Sequence, residues 1–314
     1  MGNCLSLINE IENITMTKRI PIESANILIA GMARNVEPFL EKEIQILLES
    51  TKRFNKTYFY VVESDSSDAT VTKLAQLRKT LNHFDYLSLG ELSQYISSRT
   101  DRLAHCRNQV IHAVKSNPDY ADIDYVMLAD LDGLNTLLTE AKIAQCWQVD
   151  EDWDVICANQ IELYYDVYAL RHPYWGQVDC LSQQQYLEAY LDKEAAHLMA
   201  VEVKQYPIKS NAGLIEVDSA FGGLAIYKKE AFILGTYVGQ ENGHDVCEHV
   251  TFHQILKSAG KRIFINSALI NCRQPAVLIN PELKNRPVIQ SLRKLGLWLL
   301  GKRRFNKYLD LLRI

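Results

Sequence analysis

The sequence predicts an α/β protein built on a largely parallel sheet. Short apolar and β-branched runs alternate with amphipathic stretches as far as residue 129, with brief links between them. The chain has 314 residues, 47% hydrophobic and 23% charged, so it is globular in composition and long enough for a large core. Polar loops at 31–35, 63–67 and 130–133 each follow a predicted strand, the edge at which such sheets bind ligands.

The elements follow in order. Asn26–Ala30 (NILIA) reads as the first strand. Val36 to Glu49 reads as a helix, with Pro38 in its first turn and Phe39, Leu40, Ile44, Leu47 and Leu48 as its apolar positions. Thr57–Val62 (TYFYVV) is aromatic and β-branched, hence a strand. Ser66 or Ser67 is the expected cap of a helix from Asp68 to Lys79. Phe84–Leu89 is a third strand, Arg99 to Lys115 a helix, and Tyr125–Ala129 a fourth strand. Beyond it the pattern is less regular. Asp154–Asn159 reads as a strand, Gln183 to Ala200 as a helix, and Asp218–Tyr227 as a stretch ending in a strand. Glu248 to Ala259 is a helix, and Lys261–Ile270 is expected to close the sheet.

The expected organisation is an N-terminal segment 1–23, one domain over 24–280, and a tail over 281–314. From Lys284 onward there are nine Lys or Arg residues and one acid, so a charge of +8 there leaves −12 on the rest of a chain whose total is −4. Leu292, Leu295, Trp298, Leu299 and Phe305 interleave with these cations. Residues 291–314 therefore read as a basic amphipathic helix suited to an anionic membrane surface, or to docking on its own domain. The acidic remainder argues against nucleic acid as a partner. Seven scattered cysteines without a CxxC pair exclude a zinc ribbon and a disulfide framework, so reduced thiols in a cytoplasmic compartment are expected, with peripheral membrane contact. The opening Met-Gly-Asn-Cys-Leu-Ser fits an N-myristoylation pattern at Gly2, with Cys4 placed for a second acyl chain. No signal peptide and no spanning run is read in the sequence.

The stretch that carries chemistry is 125-YVMLADLDG-133. A buried strand that ends on two carboxylates places them at a cost in desolvation and mutual repulsion. A divalent cation relieves both, and hard oxygen ligands suit Mg2+ or Mn2+ at Asp130 and Asp132. An EF-hand register fails, because it puts Leu128 first and Thr139 twelfth, where carboxylates belong. A solvated Asp-Gly turn is the plain alternative.

Further motifs surround this one. They are Ala33-Arg34-Asn35, the turn 61-VVESDSSDAT-70, the helix 102-RLAHCRNQVIHAVK-115, and 221-FGGLAIY-227 before 247-CEHVTFHQILKSAG-260 and 261-KRIFINSALI-270. In order and spacing, over roughly residues 24–273, this set resembles the glycosyltransferases of GT-A fold, the family-two type above all. The resemblance implies a doubly wound sheet and a metal-dependent enzyme. Such an enzyme moves a sugar from a UDP- or GDP-sugar to a glycan or glycolipid. Some retaining mannosyltransferases share the fold and similar motifs.

The resemblance also implies roles. Asp132 would hold the metal, and Asp130 would share it or meet the donor ribose. Ala30, Gly31, Arg34, Glu63 and Asp65 would frame the nucleotide. Arg102 and Arg107 lie five residues apart and diverge on a helix, so Arg102 is expected at the phosphates and Arg107 with an acid. Glu248 stands at the family's catalytic carboxylate, although an acid in a first helical turn is stabilising in any case. His249 departs from the second acid common there. His253, four residues on, does not make an HExxH zinc motif with it. Asn271 occupies the region of a third metal ligand, commonly histidine. Tyr164, Tyr165, Asp166, Tyr168, His172, Tyr174 and Trp175 mark the expected acceptor side, since aromatic faces stack on sugars. Phe221-Gly222-Gly223 is expected to bring backbone close to a substrate.

Two rival readings remain. A sugar nucleotidyltransferase would show a Gly-rich basic loop after the first strand, for which Gly31-Met32-Ala33-Arg34 is poor. A non-catalytic glycan- or lipid-binding module would keep the fold without turnover.

Overall fold

The computed structural model describes residues 19–273. The predicted N-terminal acylation pattern and the basic tail over 281–314 lie outside the described residues, as does Cys4.

One eight-stranded sheet organises the described chain, in the order β3-β2-β1-β4-β7-β5-β10-β6. Its first half comprises β1 (Asn26–Ala33), β2 (Lys56–Glu63), β3 (Phe84–Ser88) and β4 (Tyr125–Ala129), all parallel. Helices α1 (Leu40–Ser50), α2 (Thr70–Thr80) and α3 (Arg99–Ser116) connect them. The alternation of side chains along β1 explains the layering. Leu28 and Ala30 pack on the face covered by α3, with Val110 and Val114. Ile27 and Ile29 pack on the other face, with Leu40, Ile44 and Leu47 of α1. A strand buried on both sides reads as a continuous apolar run, and NILIA is one.

The order 3-2-1-4 puts the next strand after β3 on the far side of β1. The crevice between the carboxyl ends of β1 and β4 is therefore a topological switch point, where open α/β sheets take ligands.

The second half of the sheet is mixed. A short helix α4 (Glu140–Gln145) leads to β5 (Val155–Ile161). Helices α5 (Cys180–Glu188) and α6 (Lys193–Ala200) precede β6 (Leu214–Val217) and β7 (Leu224–Lys228). β7 runs antiparallel to both β4 and β5. A helical turn α7 (Lys229–Phe232) and a two-residue hairpin, β8 (Gln240–Glu241) and β9 (His244–Asp245), lead to α8 (Glu248–Ser258) and β10 (Ile263–Arg273).

Three sequence expectations need correction. β10 does not close the sheet, because β6 pairs antiparallel along its outer edge; four residues between Gly213 and Asp218 were too short a run to show strand periodicity. The helix expected over 183–200 is two helices, and Asp192 caps the second by accepting from the Ala195 N–H at 2.9 Å. The helix after β2 begins at Thr70, where Asp68 Oδ1 accepts from the Thr70 N–H at 2.9 Å, and neither Ser66 nor Ser67 caps it.

Candidate active site

A cleft of about 670 Å³ opens at the switch point. The loops after β1, β2 and β4 form one side of it. The start of α3, the segment 165–168, Phe221 and the start of α8 form the other.

The loop after β4 is pinned from behind. The Asp130 N–H donates to the Gly223 carbonyl at 2.9 Å, and Asn135 Nδ2 donates to the Asp130 carbonyl at 2.7 Å. Asn135 also donates to Glu43 Oε2 at 2.8 Å, and both residues are buried. Burial raises the Glu43 carboxyl above its ordinary range, against the pull of the Asn135 hydrogen bonds. Between the two aspartates Leu131 turns inward and is 1% exposed. It has room because Gly31 has no side chain; a Cβ there would lie 2.7 Å from Leu131 and 2.9 Å from the Ala129 carbonyl. Gly31 thus shapes the loop. With Leu131 tucked under, Asp130 and Asp132 both line the cleft.

Burial, then the neighbouring Asp132 charge, pushes the Asp130 carboxyl up to about 8. Desolvation also raises Asp132, which stands nearer the solvent. A pair of raised carboxyls at one rim suits a divalent cation, which would relieve the same repulsion that a proton does. Among the described residues no group of three or more His, Cys, Asp or Glu side chains gathers as a metal cage. Asp130 and Asp132 would hold a cation as a pair, leaving positions to water and substrate phosphate, the manner in which Mg2+ sites are commonly built.

The other expected residues divide. Arg34, Asp65, Arg102, Asp130, Asp132 and Glu248 come together in the cleft. Ala30 is buried in the sheet core. Glu63 is 1% exposed, and its carboxylate accepts from the Ser66 N–H at 3.0 Å and from the Ser88 hydroxyl, so it ties the β2 turn to β3 instead of facing the cleft. Asn271 lies outside the cleft lining, buried behind Gly222. Its Oδ1 accepts from Gln160 Nε2 at 3.1 Å, and its Nδ2 donates to the Gly222 carbonyl at 2.9 Å. Gly222 and Gly223 have φ of 69° and 78°, and a Cβ on them would meet the Ala158 carbonyl and the Tyr165 hydroxyl, each at 2.7 Å. Their close approach is to the protein itself.

Of the two arginines, Arg107 pairs with an acid as expected, whereas Arg102 is also tied to one. Arg102 and Arg107 both line the cleft, and each has a carboxylate of its own. Arg102 Nε is 3.6 Å from Asp65 Oδ2, while its Nη1 donates to the carbonyls of Ile96 and Ser97 at 2.7 and 2.8 Å. Burial raises the Asp65 carboxyl, but hydrogen bonds from Ser93 and the charges of Arg102 and Arg34 outweigh it and hold the group low. Arg107 pairs with Glu248. Among the described residues, Arg34 and Arg99 line the cleft without an ion pair. Arg99 opens α3 beside its Ser98 cap, and the sequence reading did not single it out. A cation at the first residue of a helix opposes the dipole, a signal that it serves something outside the helix.

Both histidines of α8 are buried, His253 in the core and His249 at the wall of the cleft. His253 is fully buried, with Nδ1 2.9 Å from the Ser219 hydroxyl and Nε2 3.1 Å from the Tyr227 hydroxyl; burial pushes its pKa down to about 3. His249 stacks on Phe221 with ring centroids 4.0 Å apart. Burial, then Arg107, holds it well below its ordinary range.

The expected acceptor aromatics split as well. Tyr165, Asp166 and Tyr168 line the cleft. Tyr164 is core, and its hydroxyl accepts from the Phe221 N–H at 3.3 Å. Tyr174 and Trp175 line a second groove of about 640 Å³ with Tyr206 and Ile208. His172 borders a third hollow.

All six described cysteines are free and buried, as expected of reduced thiols. No helix among the described residues is long and apolar enough to cross a membrane.

No protein-family model matches the chain, and no curated protein matches it either. Solved structures of similar chain path include the mannosyltransferase PcManGT from Pyrobaculum calidifontis in complex with GDP-Man and Mn2+, at a TM-score of 0.45 and 14% identity over 86% of this chain and 64% of that one. S. aureus TarS 1-349 has a TM-score of 0.42 and 12% identity over 79% and 60%. The same TarS fragment in complex with UDP-GlcNAc gives 0.40 and 12% over 77% and 56%. The chain spans less than two thirds of the length of each.

Proposed function

We propose that the cleft is the donor site of a metal-dependent glycosyltransferase. It takes a UDP- or GDP-sugar and passes the sugar to a hydroxyl of a glycan or glycolipid. The observation that carries this reading is the desolvated Asp130–Asp132 pair at the switch-point crevice, facing a cleft that also holds the unpaired cations Arg34 and Arg99. Acidic ligands for a cation, with arginines in the same cavity, match a metal diphosphate.

Each side chain then has a task. Asp130 and Asp132 hold Mg2+ or Mn2+, which when bound supplies Lewis-acid neutralisation of the leaving diphosphate. Arg34 and Arg99 contact phosphate oxygens from the β1 and α3 sides. Asp65, fixed by Arg102 and Ser93, accepts a hydrogen bond from the nucleoside. Tyr165 and Tyr168 give the sugar an aromatic wall. Contact of residues 291–314 with an anionic membrane belongs to the same proposal, and co-sedimentation of the full chain with phosphatidylserine vesicles tests it.

Calorimetry with UDP and GDP, with and without Mn2+, tests the donor site. Binding of one nucleotide that strengthens with Mn2+ and is lost in Asp132→Ala supports it. Equal binding in the wild type and in Asp132→Ala would sink it.

A further inference from the structure

Besides Asp65, Asp130 and Asp132, two further carboxylates line the cleft. They are Glu248 and Asp166. Glu248 has a side chain only 6% exposed and is closed against the Arg107 guanidinium, itself 7% exposed. A carboxylate clasped by a buried guanidinium offers a hydroxyl little access.

Asp166 is different. It is partly exposed and faces the cleft between Tyr165 and Tyr168. Its Oδ2 accepts from the Gly222 N–H at 2.9 Å and its Oδ1 from the Ala169 N–H at 3.3 Å. Two backbone donors from separate segments fix the plane of the carboxylate without neutralising it. The charges of Arg107 and Arg171 pull the carboxyl down less than burial raises it, and neither forms an ion pair with it: Arg107 is paired with Glu248 and Arg171 with Asp179. Each oxygen keeps acceptor capacity beyond its one amide bond. Burial raises the Asp166 carboxyl, which improves it as a proton acceptor near neutral pH.

We propose that Asp166 is the catalytic base of the transfer, and that Glu248 is a positioning residue acting through Arg107. This rests on the transferase reading. In the step, the acceptor oxygen bonds to the anomeric carbon as the bond from that carbon to the diphosphate oxygen breaks. The electron pair leaves with the nucleoside diphosphate, and the hydroxyl proton passes to the Asp166 carboxylate and on to solvent. The assignment locates the base in the segment 163–171, outside the motifs that carry the family resemblance.

Donor hydrolysis, with water as acceptor, is the test. UDP-glucose, UDP-GlcNAc and GDP-mannose with Mn2+ serve as probes. In Asp166→Ala, kcat for the donor that turns over falls by about 100-fold or more, the range for loss of a general base. The KM for that donor and the dissociation constant for its nucleotide stay unchanged, and added formate restores part of the lost rate. Glu248→Ala is not restored by formate. Asp166→Asn keeps one of the two accepting oxygens and sets its NH2 against the other backbone N–H, so thermal melting of both variants is measured beside the rates; it shows the same loss of kcat with a folded protein and nucleotide binding intact. Wild-type kcat in Asp166→Asn, or formate rescue of Glu248→Ala and not of Asp166→Ala, overturns the assignment alone. A wild type that binds nucleotide and metal but turns over no donor overturns the transferase reading and this inference with it.

Discussion

Arg107, from the middle of α3, and Glu248, the first residue of α8, are counter-ions at the floor of the cleft, with side chains 7% and 6% exposed. The pair joins the two helices that flank the cleft. The Arg107 guanidinium also lies 5.7 Å from the centroid of the Phe221 ring, which lines the cleft, and 5.8 Å from that of Tyr237 in the core behind it.

Breaking that pair from one side strands a buried charge. Arg107→Leu is expected to lower unfolding stability by about 3–5 kcal/mol. The double variant Arg107→Leu/Glu248→Leu removes both charges and loses clearly less than the sum of the two single changes. Urea unfolding of the four proteins checks this, and additive losses would show that the pair is not coupled.

Gly31→Ala places a methyl group 2.7 Å from Leu131. The expected cost is about 1–3 kcal/mol of overpacking. Mn2+ affinity falls with it, because Leu131 separates the two aspartates. Adding Leu131→Ala to Gly31→Ala recovers part of the stability. A Gly31→Ala protein with wild-type melting and metal binding would contradict the packing described.

Arg34→Ala and Arg99→Ala each weaken nucleoside diphosphate binding by about 1.5–3 kcal/mol, the worth of a charge-assisted hydrogen bond. Neither changes stability much, since neither has an ion pair among the described residues. Nucleoside binding without phosphates is unaffected. Titration with UDP, GDP, uridine and guanosine separates the outcomes, and equal loss for nucleoside and diphosphate would remove the arginines from the phosphate site.

His253 is buried neutral, with a pKa pushed down to about 3 against about 6.5 in an unfolded chain. Between those values the unfolded chain binds a proton that the folded chain refuses. Stability therefore falls as pH drops through that window, by about 1.4 kcal/mol per unit for this group. His253→Leu, though less stable at neutral pH, loses that share of the slope. Urea midpoints from pH 7.5 to about 4 report it. Parallel slopes for the two proteins would mean that His253 charges in the folded state.

The parallel half of the fold was legible because its central strands are nearly continuous apolar runs and its helices are amphipathic. Arg99–Lys115 and Tyr125–Ala129 show this most clearly, the first observed over Arg99–Ser116 and the second as predicted. The other half was less so. β6 has four residues, β7 runs against its neighbours, and the direction of a strand leaves no mark on its own periodicity. In the site, Asp130, Asp132, Arg34 and Asp65 were legible from their place after strands. Glu63, Ala30 and Asn271 share that local pattern, but their side chains turn inward, which is a property of the packed sheet. Glu43 had a signal that went unused: it falls on the apolar stripe of its helix with Leu40, Ile44 and Leu47, where an acid needs a buried partner, and Asn135 is that partner. Arg107 was expected to pair with an acid, but only the fold reveals that the acid is Glu248.

The proposed role of the Asp130–Asp132 pair is to serve a metal-bound sugar nucleotide. The measurement that tests it most directly is donor turnover across UDP- and GDP-sugars, with and without Mn2+, in the wild type and in Asp132→Ala. Turnover of one donor is expected to require the metal and to fall by orders of magnitude in Asp132→Ala. Turnover that ignores both metal and substitution, or no turnover of any donor, would contradict it.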